Sequence, residues 1–366
     1  MILVVFGTTG ELIKLAPVLL RLDERGHRYV LATTGQQVQQ IPIFLREFGL
    51  RQPDLWLGRG ARGRDLRTNA DIPRWLRTVS GTFARRRRWL RDALRSDRGR
   101  PLVLVHGDTM TTVLGATMGR ALRSPVAHIE AGLRSFDLRH PFPEELNRRT
   151  ASRLAAIHYA PGAWAASNLP GVDVVDTGSN TIRDSLVLVR DRDHLPYDLT
   201  EPFGIVSLHR YELLSKRRAL SDALEVLRET SADTQLVFID HPVTAAAIEG
   251  FGLEGVFDQR CFRRVPRLSF FEFVRLERRC AFVVTDSGGS QEECFYLDRP
   301  CVIHRLRTER REGLGENVLL TGMDPDALRA FLAAPSTYRR TSLLPDVSPS
   351  DVIVADLERR AIAVGS

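Results

Sequence analysis

Residues 128–149, with the sequence HIEAGLRSFDLRHPFPEELNRR, bring together side chains that can exchange protons and bind anions. Glu130 follows an apolar run typical of a buried parallel strand, and ligands bind beyond the carboxyl ends of such strands. Glu144 and Glu145 follow Pro143, an order typical of a first helical turn, where acidic side chains complement the helix dipole. We expect carboxylates from the strand end and the helix start to face a common cleft, unless the segment is only a solvated, charged loop.

Three more candidates for proton transfer follow apolar runs in the same way. The run LVLVHGDT contains Asp108, which is either a proton-transfer group or the cap of the next helix. The run FGIVSLHR ends in His209 and Arg210, and QLVFID leads to His241. Each histidine is either a site residue or a hydrogen-bonded structural histidine.

Two turns that contain glycine join a strand to a helix, an arrangement in which backbone N–H groups at the helix N-terminus can bind an anion. They are ILVVFGTTG at residues 2–10 and AFVVTDSGGSQEE at residues 281–293. Neither turn has the G-x-G-x-x-G pattern of dinucleotide sites, and the chain has no G-x-x-x-x-G-K-S/T pattern of P-loops. After the second turn, Glu293 is either a ligand-binding residue or a surface residue, and Glu292 is expected at the surface.

The composition is that of a globular protein. At 366 residues the chain suits two α/β domains. Its four cysteines have no C-x-x-C spacing, which favours reduced core thiols over a zinc site. No apolar run approaches the ~20 residues of a membrane span, and MILVVFG lacks the features of a signal peptide. We expect a cytoplasmic protein with no metal and no membrane partner.

The net charge of +7 comes almost entirely from arginine, since lysine occurs only at positions 14 and 216. Arg85 to Arg88 form the densest cluster, inside a helix-like segment at residues 73–96. We interpret this cluster as a solvated face rather than a nucleic-acid surface. Positive charge also suits anionic small ligands.

Strand-like and helix-like segments alternate along both halves of the chain, and the pattern restarts near Phe203. The first helix contains Pro17, which either kinks the helix or sits where a neighbour replaces the lost hydrogen bond. A last amphipathic helix is expected within residues 347–366.

Seven segments in order, GTTGELIKLAP, TGQ, HGDTMTT, HIEAGLRSFDLRHPFPEELNRR, SLHRYE, DSGGSQEE and RLRTERRE, make the chain resemble the non-hydrolysing UDP-N-acetylglucosamine 2-epimerases. The resemblance covers residues 7–312. It implies an α/β fold of the GT-B type, with two Rossmann-like domains facing across a cleft. These domains would be residues 1–178 and 179–346, with the helix at 347–366 packing back on the first.

The resemblance also implies the chemistry. Such enzymes invert carbon 2 of UDP-N-acetylglucosamine by eliminating UDP to give a 2-acetamidoglucal and then adding UDP back, without metal or cofactor. Asp108, Glu130 and Glu144 match the catalytic carboxylates, and His209 matches the catalytic histidine. The individual base and acid cannot be assigned from sequence.

Departure of a diphosphate needs cations and backbone N–H donors placed beforehand. The residues expected to bind the UDP-sugar are Thr8, Lys14, Arg134, Arg148, Arg210, His241, Ser287, Gly288, Gly289, Glu293 and Arg310. Among these, Glu293 matches the family residue that holds the ribose hydroxyls. The expected partners are the UDP-sugar, UDP and a second copy of the chain in a homodimer, with no nucleic acid.

The sequence departs from the family pattern at three places. Thr9 and Gly10 replace an Arg-Pro pair in the first turn, and Arg311 replaces the proline of a T-E-R-P-E segment. Gln36, Gln37 and Gln39 lie where family members bind an activating second UDP-N-acetylglucosamine, but a basic residue common there is missing. We expect activator control to be weakened or lost.

Three other functions remain open at this point. A hydrolysing relative would release UDP and N-acetylmannosamine. A GT-B glycosyltransferase would need an acceptor and would not incorporate solvent deuterium at carbon 2. A UDP-sugar-binding protein without catalysis would have no use for acid–base groups at that carbon.

Overall fold

The computed structural model describes residues 1–66, 69–96, 99–137, 142–190, 197, 199, 202–341 and 346–362. The chain divides into two compact units, Met1–Leu188 with Pro345–Ser366, and Val189–Leu344. Residues 138–141, within the charged segment 128–149, lie outside the described residues.

The first unit alternates strands and helices around one parallel sheet. Its elements are β1 (Ile2–Phe6), α1 (Thr9–Glu24), β2 (Tyr29–Thr33), α2 (Ile41–Glu47), β3 (Leu55–Trp56), α3 (Ile72–Arg95), β4 (Leu102–His106), α4 (Met110–Leu122), β5 (Val126–Ile129), α5 (Glu144–Leu154), β6 (Ile157–Ala160), α6 (Ala163–Ser167), β7 (Val174–Asp176) and α7 (Ile182–Leu188). In the described chain the strand order is β3-β2-β1-β4-β5-β6-β7. The order reverses between β1 and β4, where doubly wound sheets bind ligands.

The second unit repeats this plan. Its elements are β8 (Phe203–Ser207), α8 (Tyr211–Leu214), α9 (Arg217–Thr230), β9 (Gln235–Asp240), α10 (Pro242–Phe251), β10 (Phe262–Pro266), α11 (Phe270–Arg279), β11 (Phe282–Thr285), α12 (Gly288–Leu297), β12 (Cys301–Ile303), β13 (Val318–Leu320) and α13 (Pro325–Ala333). The parallel order among the described strands is β10-β9-β8-β11-β12-β13, with the reversal between β8 and β11. The predicted α/β fold class with two Rossmann-like units is confirmed.

Close packing of α4 on the sheet sets the position of the turn after β4. β1 and β4 are buried along their whole length. A Cβ at Gly115 of α4 would lie 2.6 Å from Val105 Cγ1 and 3.1 Å from Val5 Cβ. A larger residue at this position would push α4, and the turn at its N-terminus, away from the strand ends.

Pro17 lies inside α1 without ending the helix. Proline has no N–H, so the backbone oxygen of Ile13, four residues earlier, loses its helical partner. Ser185 Oγ of α7 donates to Ile13 O at 2.7 Å instead. The second of the two predictions for Pro17 is therefore confirmed.

The last helix, α14 (Pro349–Arg359), belongs to the first unit. Glu358 accepts from Arg25 Nη1 at 2.8 Å and lies 2.7 Å from His27 Nε2, at the end of α1. Tyr159 Oη of β6 donates to Asp356 Oδ2 at 2.9 Å. These hydrogen bonds hold α14 against the end of α1 and against β6.

The helix predicted over residues 73–96 is α3, and Arg85 to Arg88 are exposed along it. Its buried side chains are Trp75, Val79, Leu90 and Leu94. Within the described ranges, no helix combines the length and apolar character needed to cross a bilayer.

Candidate functional site

The ends of β4 and β5 bring Asp108 and Glu130 onto neighbouring turns of the first unit. Gly107 and Glu130 both adopt left-handed backbone conformations, with φ of +71° and +65°. The Gly107 N–H donates to Ile129 O at 3.0 Å, and a Cβ at Gly107 would lie 3.8 Å from Glu130 Oε1. The two turns therefore touch, and both predicted carboxylates lie at the same edge of the sheet.

Glu130 is only 6% exposed and forms an ion pair with Lys14 of α1. Its Oε2 also accepts a hydrogen bond from Asn180 Nδ2. A buried carboxylate is tolerated when a cation and hydrogen-bond donors replace its lost hydration. The structure thus brings Lys14 and Glu130 together. Sequence reasoning missed Asn180, because no local pattern marks it as the neighbour of a residue 50 positions earlier.

Asp108 forms an ion pair with Arg148 of α5, which is buried. Asn147 Nδ2 donates to the backbone oxygen of Asp108 at 2.9 Å. The cap of α4 is the next residue, Thr109, whose hydroxyl accepts two backbone N–H bonds of the first turn. The alternative interpretation of Asp108 as the helix cap is therefore wrong.

Glu144 and Glu145 open α5 as predicted, but their surroundings differ. Glu145 is fully buried and accepts from Ser135 N at 3.0 Å and from Arg149 Nε at 2.9 Å. Its carboxylate therefore anchors the start of α5. Glu144 is partly exposed as a residue, whereas Glu145 is fully buried, so Glu144 is the better placed of the two to meet a ligand.

Two predicted substrate-binding arginines make contacts within the first unit. Arg134 Nη1 donates to Leu133 O at 2.8 Å, and its Nη2 donates to Ser152 Oγ at 3.3 Å. Burial lowers the pKa of Arg134, although the Glu145 carboxylate raises it. Arg148 lies against Asp108. Contact between either arginine and a ligand stays a prediction.

Side-chain oxygens of the first unit accept hydrogen bonds from the backbone N–H groups at the N-terminus of α1. Glu11 Oε2 accepts from Gly7 N and Thr8 N, both at 2.8 Å, and Thr8 Oγ1 accepts from Glu11 N at 3.2 Å. Gln37 Oε1 accepts from Thr9 N at 2.7 Å. Because these N–H groups are occupied, the turn is poorly suited to bind an anion through its backbone. A substrate role for Thr8 stays a prediction.

Glu11 also ties the turn after β1 to the turn after β4. Its Oε1 accepts from Thr109 Oγ1 at 2.7 Å, next to Asp108. Burial raises the pKa of Glu11 from 4.5 to about 7, although hydrogen bonds from Thr109 and the first turn lower it. Sequence reasoning missed Glu11, although Thr8-x-x-Glu11 has the spacing of a capping box.

In the second unit, Asp286 joins the ends of β8 and β11. Its Oδ1 and Oδ2 accept from His209 N at 3.0 and 2.9 Å, and Oδ2 accepts from Arg210 N at 2.8 Å. Asp286 is fully buried, and burial raises its pKa while these backbone bonds lower it. His209 and Arg210 are thus fixed beside the turn that begins at Ser287.

The predicted histidines lie together. The ring centroids of His209 and His241 are 4.5 Å apart, and Ser207 Oγ lies 3.3 Å from His241 Nε2. Burial lowers the pKa of both imidazoles to about 3, and neighbouring arginines add to the effect at His209. Both rings are therefore neutral at pH 7. The bond to Ser207 fits the structural alternative for His241, whose contact with substrate stays a prediction.

The N-terminus of α12 differs from those of α1 and α4. In the described chain, Ser287 makes no side-chain capping hydrogen bond there, whereas Thr8 and Thr109 both cap their helices. A Cβ at Gly288 would lie 3.0 Å from Glu309 Oε1 and 3.1 Å from Arg310 Nε. Glycine at this position therefore lets these two side chains approach the backbone of the turn. The first turn of α12 is the better candidate for binding an anion through backbone N–H groups.

The acidic pair after this turn corrects one prediction. Glu292, expected at the surface, is fully buried and forms an ion pair with Arg310. Glu293 is 8% exposed, so the surface alternative for this residue is wrong as well. Both acidic residues lie inside because α12 is buried around most of its circumference.

The three glutamines proposed for activator binding lie in different surroundings. Gln36 Nε2 donates to Thr111 Oγ1 at 2.7 Å, and Gln37 is bound to Thr9. Gln39 lines a cavity of about 890 Å³ together with Ala61, Arg62, Arg64, Asp65, Ala70, Asp71 and Arg74. Two of the three side chains are therefore already engaged within the unit.

Across the described residues, no cluster of three or more His, Cys, Asp or Glu side chains is suited to hold a metal ion. The four cysteines carry free thiols, and Cys280, Cys294 and Cys301 are buried.

Comparison with known sequences places the chain in a family. The family model described as UDP-N-acetylglucosamine 2-epimerase matches residues 21–340. The UDP-N-acetylglucosamine 2-epimerases of Bacillus subtilis and Salmonella typhimurium are each 31% identical to this chain. The alignments cover 93% of this chain and 89% of the relative for B. subtilis, and 88% and 87% for S. typhimurium.

The fold comparison agrees. The structure of Methanocaldococcus jannaschii UDP-GlcNAc 2-epimerase, in complex with UDP-GlcNAc and UDP, matches with a TM-score of 0.78 at 25% identity. The match covers 98% of this chain and 99% of the other. Since the family model matches residues 21–340, which is most of the chain, and these relatives are 31% identical over most of their length, the chain belongs to the UDP-N-acetylglucosamine 2-epimerase family.

Proposed function

We propose that this protein reversibly inverts carbon 2 of UDP-N-acetylglucosamine, giving UDP-N-acetylmannosamine without net hydrolysis. A base removes the carbon 2 proton, and the bond between carbon 1 and the diphosphate oxygen breaks with both electrons leaving on UDP. The product of this step is 2-acetamidoglucal. UDP then adds back to carbon 1 while a proton is delivered to the other face of carbon 2. Atoms and electrons balance without an oxidant or a hydrolytic water.

The observation that carries this proposal is the pair Asp108 and Glu130, which lie on touching turns and each have a cationic partner. Inversion needs proton-handling groups on both faces of one carbon, so a single carboxylate is not enough. Glu144 at the start of α5 supplies a third carboxylate in the same unit. In this proposal the first unit handles the sugar carbon.

The second unit binds the diphosphate in this proposal. The uncapped first turn of α12 offers backbone N–H donors, and Arg210 beside it offers a cation. These groups stabilise the negative charge that develops on departing UDP. His209 is neutral before binding, and a dianionic neighbour raises the pKa of an imidazole. His209 can then donate a proton to the leaving phosphate.

Incubation with UDP-N-acetylglucosamine in heavy water tests the proposal. Proton NMR should show deuterium entering carbon 2 as UDP-N-acetylmannosamine appears, and phosphorus NMR should show no net UDP. Accumulation of UDP with free N-acetylmannosamine would instead identify a hydrolase. Binding of UDP without any exchange at carbon 2 would identify a binding protein and end the epimerase proposal.

A further inference from the structure

The Asp286 carboxylate accepts hydrogen bonds from the backbone N–H groups of both His209 and Arg210. It lies at the end of β11, and its three backbone hydrogen bonds hold the end of β8 at 2.8 to 3.0 Å. It also directly precedes Ser287, the first residue of the proposed diphosphate site. A carboxylate next to an anion site repels the anion. We therefore expect Asp286 to have a role that offsets this repulsion.

The side chain of His209 faces the same carboxylate. His209 Nδ1 lies 3.6 Å from Asp286 Oδ1 and, among the described residues, has no hydrogen-bond partner of its own. A carboxylate at this distance attracts a proton on Nδ1, so it favours the imidazole tautomer with Nδ1–H. A small rotation of the ring shortens this contact to a hydrogen bond, as commonly happens when a ligand binds.

The His209 ring also packs against another histidine. His241 packs against His209 at 4.5 Å between ring centroids, and Ser207 in turn contacts His241. The remaining charged groups that act on His209 are Arg210, Arg267 and Arg305, all cations. Asp286 is the only anion within ion-pair distance of the ring among the described residues. It is therefore the group that can favour a protonated imidazole there.

We infer that Asp286 is a positioning residue for His209: it fixes the backbone of His209, holds the ring in the Nδ1–H tautomer and leaves Nε2 to act on the ligand. This inference deepens the proposed function and rests on it for the role of Nε2. If His209 gives a proton to departing UDP from Nε2, the Asp286 carboxylate stabilises the imidazolium beforehand. The position of the ring and its tautomer can be tested even if the protein has no epimerase activity.

The first test uses nitrogen NMR of the histidine rings in the full chain. The His209 signals are identified by their loss in His209→Gln. In the wild type we expect Nδ1 to carry the proton at neutral pH, and in Asp286→Asn we expect a shift toward the Nε2–H tautomer. A wild-type His209 in the Nε2–H tautomer, or a tautomer unchanged in Asp286→Asn, would overturn the inference.

The second test separates positioning from folding by kinetics and binding. Asparagine keeps one side-chain oxygen for the backbone N–H groups, so Asp286→Asn should fold and bind UDP within about 3-fold of the wild type. Its kcat should fall by about 10²-fold, since a proton-transfer group typically contributes that much or more. KM should change little, and the limb of the pH profile that depends on protonated His209 should move to lower pH. Asp286→Ala should lose both turnover and UDP binding.

Asp258→Asn is the matched control. Asp258 accepts three backbone N–H bonds at 2.8 Å in the turn before β10, at the other edge of the same sheet. It should leave kcat, KM and the pH profile unchanged. Equal losses of kcat and UDP affinity in Asp286→Asn, without a change in pH profile, would reduce Asp286 to a folding role. Absence of turnover in the wild type would instead count against the proposed function.

Discussion

Glu130 and Asp108 are each paired with a buried cation, Lys14 and Arg148 respectively. Amide variants change the charge of each side chain while keeping its size. Glu130→Gln and Asp108→Asn keep the size of the side chain but remove the acceptor for a carbon 2 proton. We expect either change to lower turnover by at least about 10²-fold. UDP binding, which we assign to the second unit, should change by less than about 3-fold. Deuterium exchange and calorimetric titration with UDP measure the two quantities.

Asp326→Asn serves as the control for these variants, because Asp326 has an 85% exposed side chain in the second unit. Normal turnover in both Glu130→Gln and Asp108→Asn would contradict the assignment of the carbon 2 chemistry to the first unit.

Glu11 gives a prediction about pH. Its pKa is about 7 in the folded protein and 4.5 in the unfolded chain, so between these values the folded protein binds more protons. The free energy of unfolding therefore falls as the pH rises through this range and levels off above it. Glu11→Gln removes this dependence. The free energy of unfolding of the variant minus that of the wild type should therefore increase by about 3 kcal/mol as the pH rises through this range.

Urea unfolding of wild type and Glu11→Gln at about pH 5 and about pH 8 measures this difference, because the other titrating groups are common to both proteins. A stability difference that is independent of pH would show that Glu11 is ionised at both pH values.

Residues that directly follow apolar strands could be predicted from the sequence, because parallel strands all end at one edge of a sheet. Asp108, Glu130 and His209 were found in this way. Their partners could not be predicted: Asn180 and Asp286 reach them across long stretches of chain, which only the folded backbone brings together.

At the scale of elements, the N-termini of α1, α4 and α12, each of which follows a strand end, are not equivalent. α1 and α4 have their first N–H groups occupied by their own capping boxes. Sequence patterns alone could not separate them from α12, since all three follow a strand and a short turn. The structure supplies the difference, since a Cβ at Gly288 would lie 3.0 Å from Glu309 Oε1 and 3.1 Å from Arg310 Nε.

Gly288→Ala tests this element. The added Cβ would meet Glu309 and Arg310 at 3.0 to 3.1 Å, so the turn must widen or these side chains must move. We expect UDP affinity to fall by about 10-fold, the equivalent of ~1.4 kcal/mol. Calorimetric titration with UDP measures the effect.

Gly250→Ala is the control for this change, since a Cβ there meets no atom within 4 Å and the position lies in α10 of the same unit. If Gly288→Ala binds UDP as tightly as Gly250→Ala, the first turn of α12 does not hold the diphosphate.

Helix α12 also explains one wrong prediction. Glu292 was expected at the surface because acidic residues in a helix usually are exposed. An ion pair with Arg310, 18 positions later, allows its burial. Helical spacing cannot reveal this partner, because Arg310 lies outside α12 and only the folded chain brings it next to Glu292.

At the scale of the whole molecule, the six strands of the second described sheet follow the same order as the first six strands of the seven-stranded sheet. In our proposal, residues near each reversal point supply one part of the chemistry. The duplicated plan was predictable from the alternation of strands and helices. The homodimer and the cytoplasmic location stay predictions.

Regulation by a second nucleotide sugar would change the activity of the whole protein. Gln36 and Gln37 are bound to Thr111 and Thr9, so they are poorly available to a second ligand. We therefore expect the reaction from UDP-N-acetylmannosamine to start without a lag. Time courses with and without a trace of UDP-N-acetylglucosamine test this, and a long lag removed by the trace would contradict it.

The backbone at Glu130 limits how relatives of this protein can diverge. A left-handed conformation costs a residue with a Cβ about 1–2 kcal/mol, which glycine avoids. Replacing Glu130 alone, however, removes the carboxylate with which the buried Lys14 is paired, and breaking a buried ion pair costs about 3–5 kcal/mol. A lineage that gave up carbon 2 chemistry would have to exchange both residues together. A relative with glycine at position 130 and an apolar residue at position 14 is therefore expected to have lost the carbon 2 chemistry while keeping this fold.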